Sequence, residues 1–512
     1  MSRILARQGD IGFELNAEKG EILLDVLRRG GLELPAPCGG NGKCGKCRVE
    51  IDRNGSRESV LSCRYKVDGN ISIYLPEFTG GNICDRGQKV YITHTPGRSG
   101  LGAAVDIGTT TVAVKLFDLA DGRELGTAGA WNTQSPFGAD VISRCQYVME
   151  HGDGLDILKN RIQDQVFSMT DKLIVNTGRN GEKLKELYIA GNTVMEHIFM
   201  GLSPTGLAVA PFSPVSLFTE DVPAYIKGIK TYAAPCAAAY VGGDIMAGIL
   251  SSDLWHKRGA NIFLDIGTNG EMALGDRDGF VCCAVASGPA FEGAGISCGM
   301  SSTPGAVTAV KWTDNGFKME VIGGGEPKGL CGSGLISLVA LLLDLGAVDG
   351  TGWLLPPEEA PENLRPWLSE DEKGNGCLRI TEKVRLSAAD VRQLQLAKAA
   401  VAAGLEVLME NSGIGPDDIE HVYMAGGFGS ALDVKAAARI GMLPEKLADK
   451  TKALGNSALN GAAMALLNLD SRRKLYEIQR KCRYIELSGE ALFNRAFPMH
   501  MIFSKEDELE WN

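Results

Sequence analysis

A short polar turn occurs twice in the chain, each time after an apolar run that predicts a β-strand. Segments 105–109 and 264–268 share the letters Asp-Ile-Gly-Thr, and a second apolar run follows each of them. Glycine lacks a Cβ, so backbone N–H groups of such a turn can approach an anion closely. The preceding aspartate, Asp106 or Asp265, can hold Mg²⁺ through water or orient an attacking water. Two such turns facing each other across a cleft would bind the phosphates of one nucleotide, with these two aspartates as the catalytic carboxylates.

The residues that we expect to bind the nucleotide are glycines or carry short polar side chains. Those of the two turns contact phosphate, and the start of an apolar helix after Cys331 offers N–H groups to an anion. The glycine pair after the predicted strand 422–424 lets a flat adenine ring lie on the backbone. These candidates are Gly108, Thr109, Thr110, Gly267, Thr268, Asn269, Gly270, Gly332, Ser333, Gly334, Gly426, Gly427 and Ser430.

Three further polar residues each allow two interpretations. Asn192 follows a predicted strand, so it either caps the next helix or lies with His197 at the mouth of the cleft. A lone histidine on a helix is more often structural than a ligand. Asp244 follows two glycines at a predicted helix start, where it is either an N-cap or a site residue.

Four of the 13 cysteines lie in the first 63 residues, in the pattern C-x5-C-x2-C with a distant fourth member: Cys38, Cys44, Cys47 and Cys63. Four thiolates hold a [2Fe–2S] cluster, and a glycine-rich loop lets N–H groups stabilise its negative charge. Zinc is the alternative, although zinc sites usually pair two C-x2-C units and only one is present; inert thiols are the third. The remaining cysteines are scattered, which predicts reduced thiols instead of a disulfide framework.

Composition limits the partners and the compartment. The net charge of -11 argues against a nucleic-acid partner, because phosphate contacts need a basic surface. No apolar run reaches the ~18 residues of a membrane span, and the N-terminus lacks a signal-peptide core, so we expect a cytoplasmic protein without a membrane partner.

The 512 residues are enough for several domains. We predict a ferredoxin-type domain over 1–76, a linker over 77–100, and two halves of an ATPase-like domain over 101–260 and 261–512. Within the last, a capping signal at Ser387 predicts a long helix to Glu410. The stretch 353–376, rich in Pro, Glu and Asp, predicts an exposed insertion.

Read in order, the segments beginning at Asp106, Asp265 and Ala425 resemble the phosphate-one, phosphate-two and adenosine motifs of the acetate kinase, sugar kinase, heat-shock ATPase and actin superfamily, abbreviated ASKHA. With the cysteine-rich domain in front, the whole chain resembles the reductive activators of corrinoid proteins. Segments 191–197, 210–214 and 292–300 are similar to motifs of that family. The resemblance implies an α+β ferredoxin-like β-grasp domain followed by a duplicated α/β domain of ASKHA type.

The same resemblance implies an enzyme that uses ATP to return the inactive Co(II) form of a corrinoid protein to Co(I) by one-electron transfer. The implied cofactors are a [2Fe–2S] cluster and ATP with Mg²⁺. The implied partners are the corrinoid protein of a methyltransferase system and a low-potential electron donor, and a homodimer is an option to be tested. Segment 292–300 is a candidate for facing the partner.

Three other functions remain open at this point. The chain could be an ASKHA-fold small-molecule kinase, or an ATP-binding regulator, that carries a redox-sensing iron–sulfur domain. A relation to the activators of radical dehydratases is disfavoured, because those use a [4Fe–4S] cluster shared between subunits and not a four-cysteine ferredoxin loop.

Overall fold

The structure is a computed structural model that describes residues 2–8, 11–30, 32, 34, 40, 42, 47–53, 55–75, 92–138, 140–371 and 374–503. These residues form two compact units. The first unit comprises the described residues of Met1–Asp85, His94–Leu217 and Val222–Ala233; the second comprises those of Arg86–Thr93, Phe218–Asp221 and Ala234–Asn512. No helix of the described residues is long and apolar enough to span a membrane.

The N-terminal part of the first unit is a five-stranded sheet with one helix packed on it. Its elements are β1 (Ser2–Gln8), β2 (Ile11–Ala17), α1 (Leu23–Arg29), β3 (Arg48–Arg53), β4 (Ser56–Leu61) and β5 (Ile71–Leu75). The strand order is β2-β1-β5-β3-β4, with β1 and β5 parallel at the centre. Helix α1 buries four apolar side chains against this sheet. This is the predicted β-grasp arrangement.

The rest of the first unit is built on a six-stranded sheet. Its elements are β6 (Leu101–Ile107), β7 (Thr111–Asp118), β8 (Glu124–Trp131), α2 (Val141–Glu150), α3 (Gly154–Asn176), β9 (Leu184–Gly191), α4 (Thr193–Met200), β10 (Ala224–Ile226) and β11 (Ile229–Ala233). The strand order is β10-β11-β9-β6-β7-β8.

The second unit is built on another six-stranded sheet and two three-stranded sheets. Its elements are α5 (Gly243–Ser251), β12 (Ala260–Ile266), β13 (Gly270–Asp276), β14 (Gly279–Val285), β15 (Ala306–Thr313), β16 (Gly316–Val321), β17 (Gly329–Leu330), α6 (Gly332–Asp344), β18 (Leu368–Glu370), β19 (Gly376–Arg379), β20 (Arg385–Ser387), α7 (Ala388–Ser412), β21 (Ile419–Ala425), α8 (Gly426–Gly429), α9 (Val434–Arg439), β22 (Thr451–Gly455), α10 (Ser457–Leu467), α11 (Leu469–Arg480), β23 (Cys482–Tyr484) and α12 (Ala491–Met499). The strand order of the six-stranded sheet is β22-β21-β12-β13-β14-β23.

The two six-stranded sheets repeat one topology. In each, three successive antiparallel strands are followed by a strand that returns parallel to the first, β9 beside β6 and β21 beside β12. The first strand of each sheet ends in the repeated Asp-Ile-Gly-Thr segment. The carboxyl end of the neighbouring parallel strand meets it, because Ile107 pairs with Gly191 and Asp265 pairs with Ala425. The duplicated α/β fold is therefore confirmed, and ligand-binding loops are expected at this edge of each sheet.

The predicted long helix is present as α7, and Ser387 caps it by accepting a hydrogen bond from the Asp390 N–H. The stretch 353–376, predicted to be an exposed insertion, is exposed at half of its described residues but is not free of the core. Leu354, Leu364 and Leu368 are buried in the core of the second unit, so this stretch is anchored by spaced leucines in spite of its polar composition.

Candidate nucleotide and iron–sulfur sites

The first turn, residues 108–110, is held by hydrogen bonds to all three of its carbonyl oxygens. The Asn132 side chain donates to Gly108 O at 2.8 Å, and its backbone N–H donates to Thr110 O at 2.9 Å. The Arg144 guanidinium donates to Thr109 O at 2.6 Å. With these oxygens occupied, the phosphate-facing role predicted for Gly108, Thr109 and Thr110 falls to their N–H and hydroxyl groups.

Arg144 is a fully buried cation beneath this turn, on helix α2. Its other hydrogen-bond partners are Gly138 O at 3.2 Å, the Gln134 amide oxygen at 3.2 Å and the Met195 thioether. Burial lowers the pKa of Arg144 to about 9, an effect that the Asp140 carboxylate partly offsets, so the side chain is charged at neutral pH. The sequence reasoning did not identify Arg144 or Asn132, since their partners are backbone carbonyls that carry no sequence signal.

Asn192 has the capping role that the sequence allowed, and it also contacts the first turn. Its side-chain oxygen accepts from the Met195 N–H at 3.0 Å and caps α4, while its amide donates to the Thr109 hydroxyl at 3.0 Å. His197 is buried; its Nδ1 contacts Thr193 O at 2.6 Å and its Nε2 accepts from the Ser216 N–H. Burial also lowers the pKa of His197, which favours the neutral ring. The structural interpretation of His197 therefore holds.

The second turn, residues 267–270, is held by neutral groups. The Ser287 hydroxyl donates to Gly267 O at 2.9 Å and lies 3.3 Å from Thr268 O, and the Gly288 N–H donates to Thr268 O. The Gly267 N–H is used within the turn, where it donates to Asn269 O at 2.8 Å. Thr268 and Asn269 remain half-buried at the surface of this turn.

Acidic side chains surround the second turn. Burial raises the pKa of Asp265 to about 6. Burial and the carboxylates of Asp244 and Asp265 raise the pKa of Glu271 well above its usual value. A Cβ on Gly267 would lie 3.3 Å from a Glu292 carboxylate oxygen. This accumulation of carboxylates suits a bound cation.

The acidic group does not form a complete metal cage. No three His, Cys, Asp or Glu side chains among the described residues form a metal-ligand set. Mg²⁺ typically takes one or two carboxylates and completes its shell with water and substrate phosphates, so Asp265 fits as such a ligand. Asp244 is not the N-cap of α5; that position is Gly242, and Asp244 lies in the first turn of the helix.

The glycine pair at the end of β21 lies beside the second turn. Gly426 has φ +78°, and a Cβ there would lie 2.8 Å from the Asp265 carboxylate, so both conformation and space favour glycine. Gly427 is exposed, and a Cβ on it would meet nothing within 4 Å. The Ser430 hydroxyl donates to Gly426 O at 3.1 Å. The open backbone at Gly427 suits the flat ring that the sequence predicted there.

The start of α6 is buried. A Cβ on Gly332 would lie 2.0 Å from Phe291 O, and one on Gly334 would lie 2.0 Å from Val307 O. Ser333 is also buried and contacts the Cys331 thiol. Close packing against backbone accounts for both glycines, and anion binding at this helix start stays a prediction.

Two of the four predicted cluster ligands lie within the described residues; Cys38 and Cys44 lie outside them. Cys47 and Cys63 are buried on adjacent backbone, where the Ser62 N–H donates to Cys47 O at 2.9 Å. Gly40 passes beside them with φ +90°, and a Cβ on it would lie 3.8 Å from the Cys63 Cβ. Two buried thiols, one of them beside Gly40, fit the [2Fe–2S] cluster that the spacing predicts.

The loop 292–300 is fastened at several points. The Ser297 N–H and hydroxyl donate to Asp390 at 2.7 and 2.6 Å, and the Met300 N–H donates to Leu330 O. A Cβ on Gly293 would lie 2.2 Å from Met300 O. Its predicted role in facing a partner stays a prediction.

Three protein-family models match the chain one after another. The model described as the 2Fe-2S iron-sulfur cluster binding domain matches 7–68, the RACo middle region matches 101–257, and the C-terminal domain of RACo, the ASKHA domain, matches 260–511. These matches identify the iron–sulfur and ATP cofactors that the sequence predicted.

Similar proteins share this organisation. A corrinoid activation enzyme, RamQ, of Eubacterium limosum is 28% identical over 96% of this chain and 97% of its own length. The [Co(II) methylated amine-specific corrinoid protein] reductase of Methanosarcina barkeri is 25% identical over 74% of this chain and 72% of its own. The solved structure of a reductive activator for a corrinoid, iron-sulfur protein matches with a TM-score of 0.70, 28% identity and 98% of each chain. This chain belongs to the RACo family, the reductive activators of corrinoid proteins.

Proposed function

We propose that this chain uses ATP to transfer one electron to a corrinoid protein, which returns Co(II) to Co(I). The observation that carries the proposal is the union in one chain of a [2Fe–2S] domain with a complete ASKHA fold, matched over nearly the full length of relatives named for corrinoid activation. The corrinoid partner belongs to a methyltransferase system. A low-potential electron donor, a cytoplasmic location and a homodimeric state are further parts of the proposal.

The N-terminal domain keeps two of the proposed sulfur ligands, Cys47 and Cys63, away from water. Cys47 and Cys63 would hold the cluster together with Cys38 and Cys44, and the bound cluster supplies a one-electron carrier. Cys63 packs in the same apolar core as Leu24 and Leu34. A low-polarity environment of this kind, together with N–H groups near the sulfurs, sets the reduction potential of such a centre.

Nucleotide energy is needed because the transfer is uphill. A plant-type [2Fe–2S] centre has a potential of about -400 mV. Each additional ~100 mV costs roughly 2.3 kcal/mol for one electron. Differential binding of the partner to two states of the activator can supply this amount, provided that the two affinities differ enough. We assign phosphate binding to Gly108–Thr110 and Gly267–Gly270, Mg²⁺ and water to Asp106 and Asp265, and adenosine to Gly426, Gly427 and Ser430.

The experiment mixes the reconstituted protein with a Co(II) corrinoid protein and a chemical reductant of fixed potential, with and without ATP. We expect ATP to increase the amount of Co(I), followed by optical absorbance and by loss of the Co(II) EPR signal. Cys63→Ser should abolish the increase. Cys145→Ser is the matched control, because Cys145 is equally buried but lies on α2 and contacts Pro204 O. An equal yield of Co(I) without ATP would refute the proposal.

A further inference from the structure

We propose that Arg144 is a positioning residue for the nucleotide: its buried guanidinium fixes the first turn and places a permanent positive charge beneath the bound phosphates. The inference rests on the proposed use of ATP, and it assigns a role to a residue that touches the turn and not the substrate. Three features carry it: the contact with Thr109 O, the neutrality of the other acceptors, and the complete burial of the side chain.

The contact geometry gives Arg144 control over the direction of the turn. A peptide group has its N–H and its C=O on opposite sides, so fixing the carbonyl of Thr109 inward turns the following N–H outward. The two neighbouring carbonyls are fixed by Asn132 in the same way. An outward row of N–H groups is the arrangement that binds phosphate oxygens.

The charge indicates a role beyond packing. A buried ion is costly unless it is paired; all the hydrogen-bond partners of Arg144 in the described part of the chain are neutral, and the nearby Asp140 carboxylate offsets the effect of burial only in part. A neutral donor is enough to fasten a turn of the same sequence, because Ser287 does so at 267–268. An anion above the turn would compensate the Arg144 charge, and the phosphates of the nucleotide are such an anion.

The test compares the affinities of the full-length protein for ATP and for adenosine, which lacks phosphate, by calorimetry. Arg144→Met should weaken ATP binding on the order of 10- to 100-fold, the range expected for a charge-assisted hydrogen bond. Adenosine affinity should stay unchanged. Arg144→Lys keeps the charge but not the planar fork, so it should restore part of the ATP affinity.

The matched control is Arg472→Lys. Arg472 is also buried on a helix, α11, and its Nε donates to a carbonyl, Ala465 O at 3.0 Å, far from either turn along the chain. Both affinities should be unchanged in this variant. If Arg144→Met does not fold, Arg144→Lys tests the role of Arg144 instead. Weaker ATP binding than in the wild type, with unchanged adenosine affinity, would then support that role.

The outcomes separate the inference from the proposed function. Wild-type protein that binds neither ligand would overturn the use of ATP itself. Wild-type protein that binds ATP, with an Arg144 variant that binds it equally well, would overturn only the role of Arg144. An equal loss of ATP and adenosine affinity would also overturn it, because that pattern indicates general damage to the fold.

Discussion

The two Asp-Ile-Gly-Thr turns have the same backbone setting but opposite electrostatic surroundings. The first turn lies over the buried cation Arg144 and is fastened by Asn132. The second is held by the neutral Ser287 hydroxyl and lies beside Asp265 and Glu271, where burial and the carboxylates of Asp244 and Asp265 raise the pKa of Glu271. We propose that the buried cation assists phosphate binding at the first turn and that the carboxylates favour Mg²⁺ beside the phosphates at the second. The electrostatic difference between the turns arises from residues distant in sequence, and not from the repeated Asp-Ile-Gly-Thr segments themselves.

The largest expected effect concerns the second turn, residues 267–270, and the Asp265 carboxylate beside it. Asp265→Asn should lower the rate of ATP-dependent Co(I) formation by about 10²- to 10³-fold, the usual loss when a group that stabilises a transition state is removed. ATP binding should persist, since the first turn is intact. Asp276→Asn, at the other end of β13, is the control and should keep the wild-type rate. An Asp265 variant with full activity would remove the functional distinction between the turns.

The same carboxylate should make stability depend on pH in metal-free protein. The folded-state pKa of Asp265 is raised to about 6, so its ionised form is disfavoured in the fold. The penalty is absent below about pH 4, where the group is protonated in both states, and complete above about pH 6. Asp265→Asn should therefore raise the free energy of unfolding by up to about 3 kcal/mol near pH 8 and leave it unchanged near pH 4.

Denaturant titrations with EDTA at the two pH values measure this difference. Mg²⁺ with ATP should reduce the difference in unfolding free energy between Asp265→Asn and wild type near pH 8, because a bound cation offsets the carboxylate charge. An equal effect of the substitution at both pH values would contradict the idea that Asp265 is strained by its charge.

A smaller effect on stability tests how closely the glycine pair Gly426-Gly427 packs against Asp265. Gly426→Ala should destabilise the protein by about 1–2 kcal/mol, since the new Cβ meets a left-handed conformation and the Asp265 carboxylate. Gly427→Ala enters open space and should leave the unfolding temperature unchanged, while it weakens adenosine binding if the ring lies there. Thermal unfolding of both variants provides the comparison, and equal shifts would contradict the assigned geometry.

The smallest expected effect concerns the side chains that hold the two turns, Ser287 at the second turn and Arg144 at the first. Ser287→Ala removes neutral hydrogen bonds, each worth about 1 kcal/mol, so ATP affinity should fall only a few-fold. The loss should be smaller than that for Arg144→Met under the same conditions and should change less with salt. A loss in Ser287→Ala that equals or exceeds that of the arginine variant would show that charge does not distinguish the turns.

The sequence was sufficient to predict those elements whose backbone conformation requires particular residue types. Glycines after apolar strands predicted both turns, and the family resemblance implied the β-grasp domain. Arg144, Asn132 and Ser287 were missed, because each acts on a carbonyl that any residue could supply. The exposure of stretch 353–376 was predicted only in part, because its prolines and acids outnumber the few leucines that anchor it in the core.

The central claim is that nucleotide in the ASKHA domain drives an uphill electron transfer from the cysteine-rich domain. The direct measurement is the ratio of Co(I) to Co(II) in a partner corrinoid protein, held at one reductant potential and read at a fixed time before the wild-type reaction is complete, with and without ATP, for wild-type protein and for Asp265→Asn. The account predicts that ATP raises the ratio with the wild type and leaves it unchanged with the variant. A ratio that ATP does not alter with the wild type would contradict it.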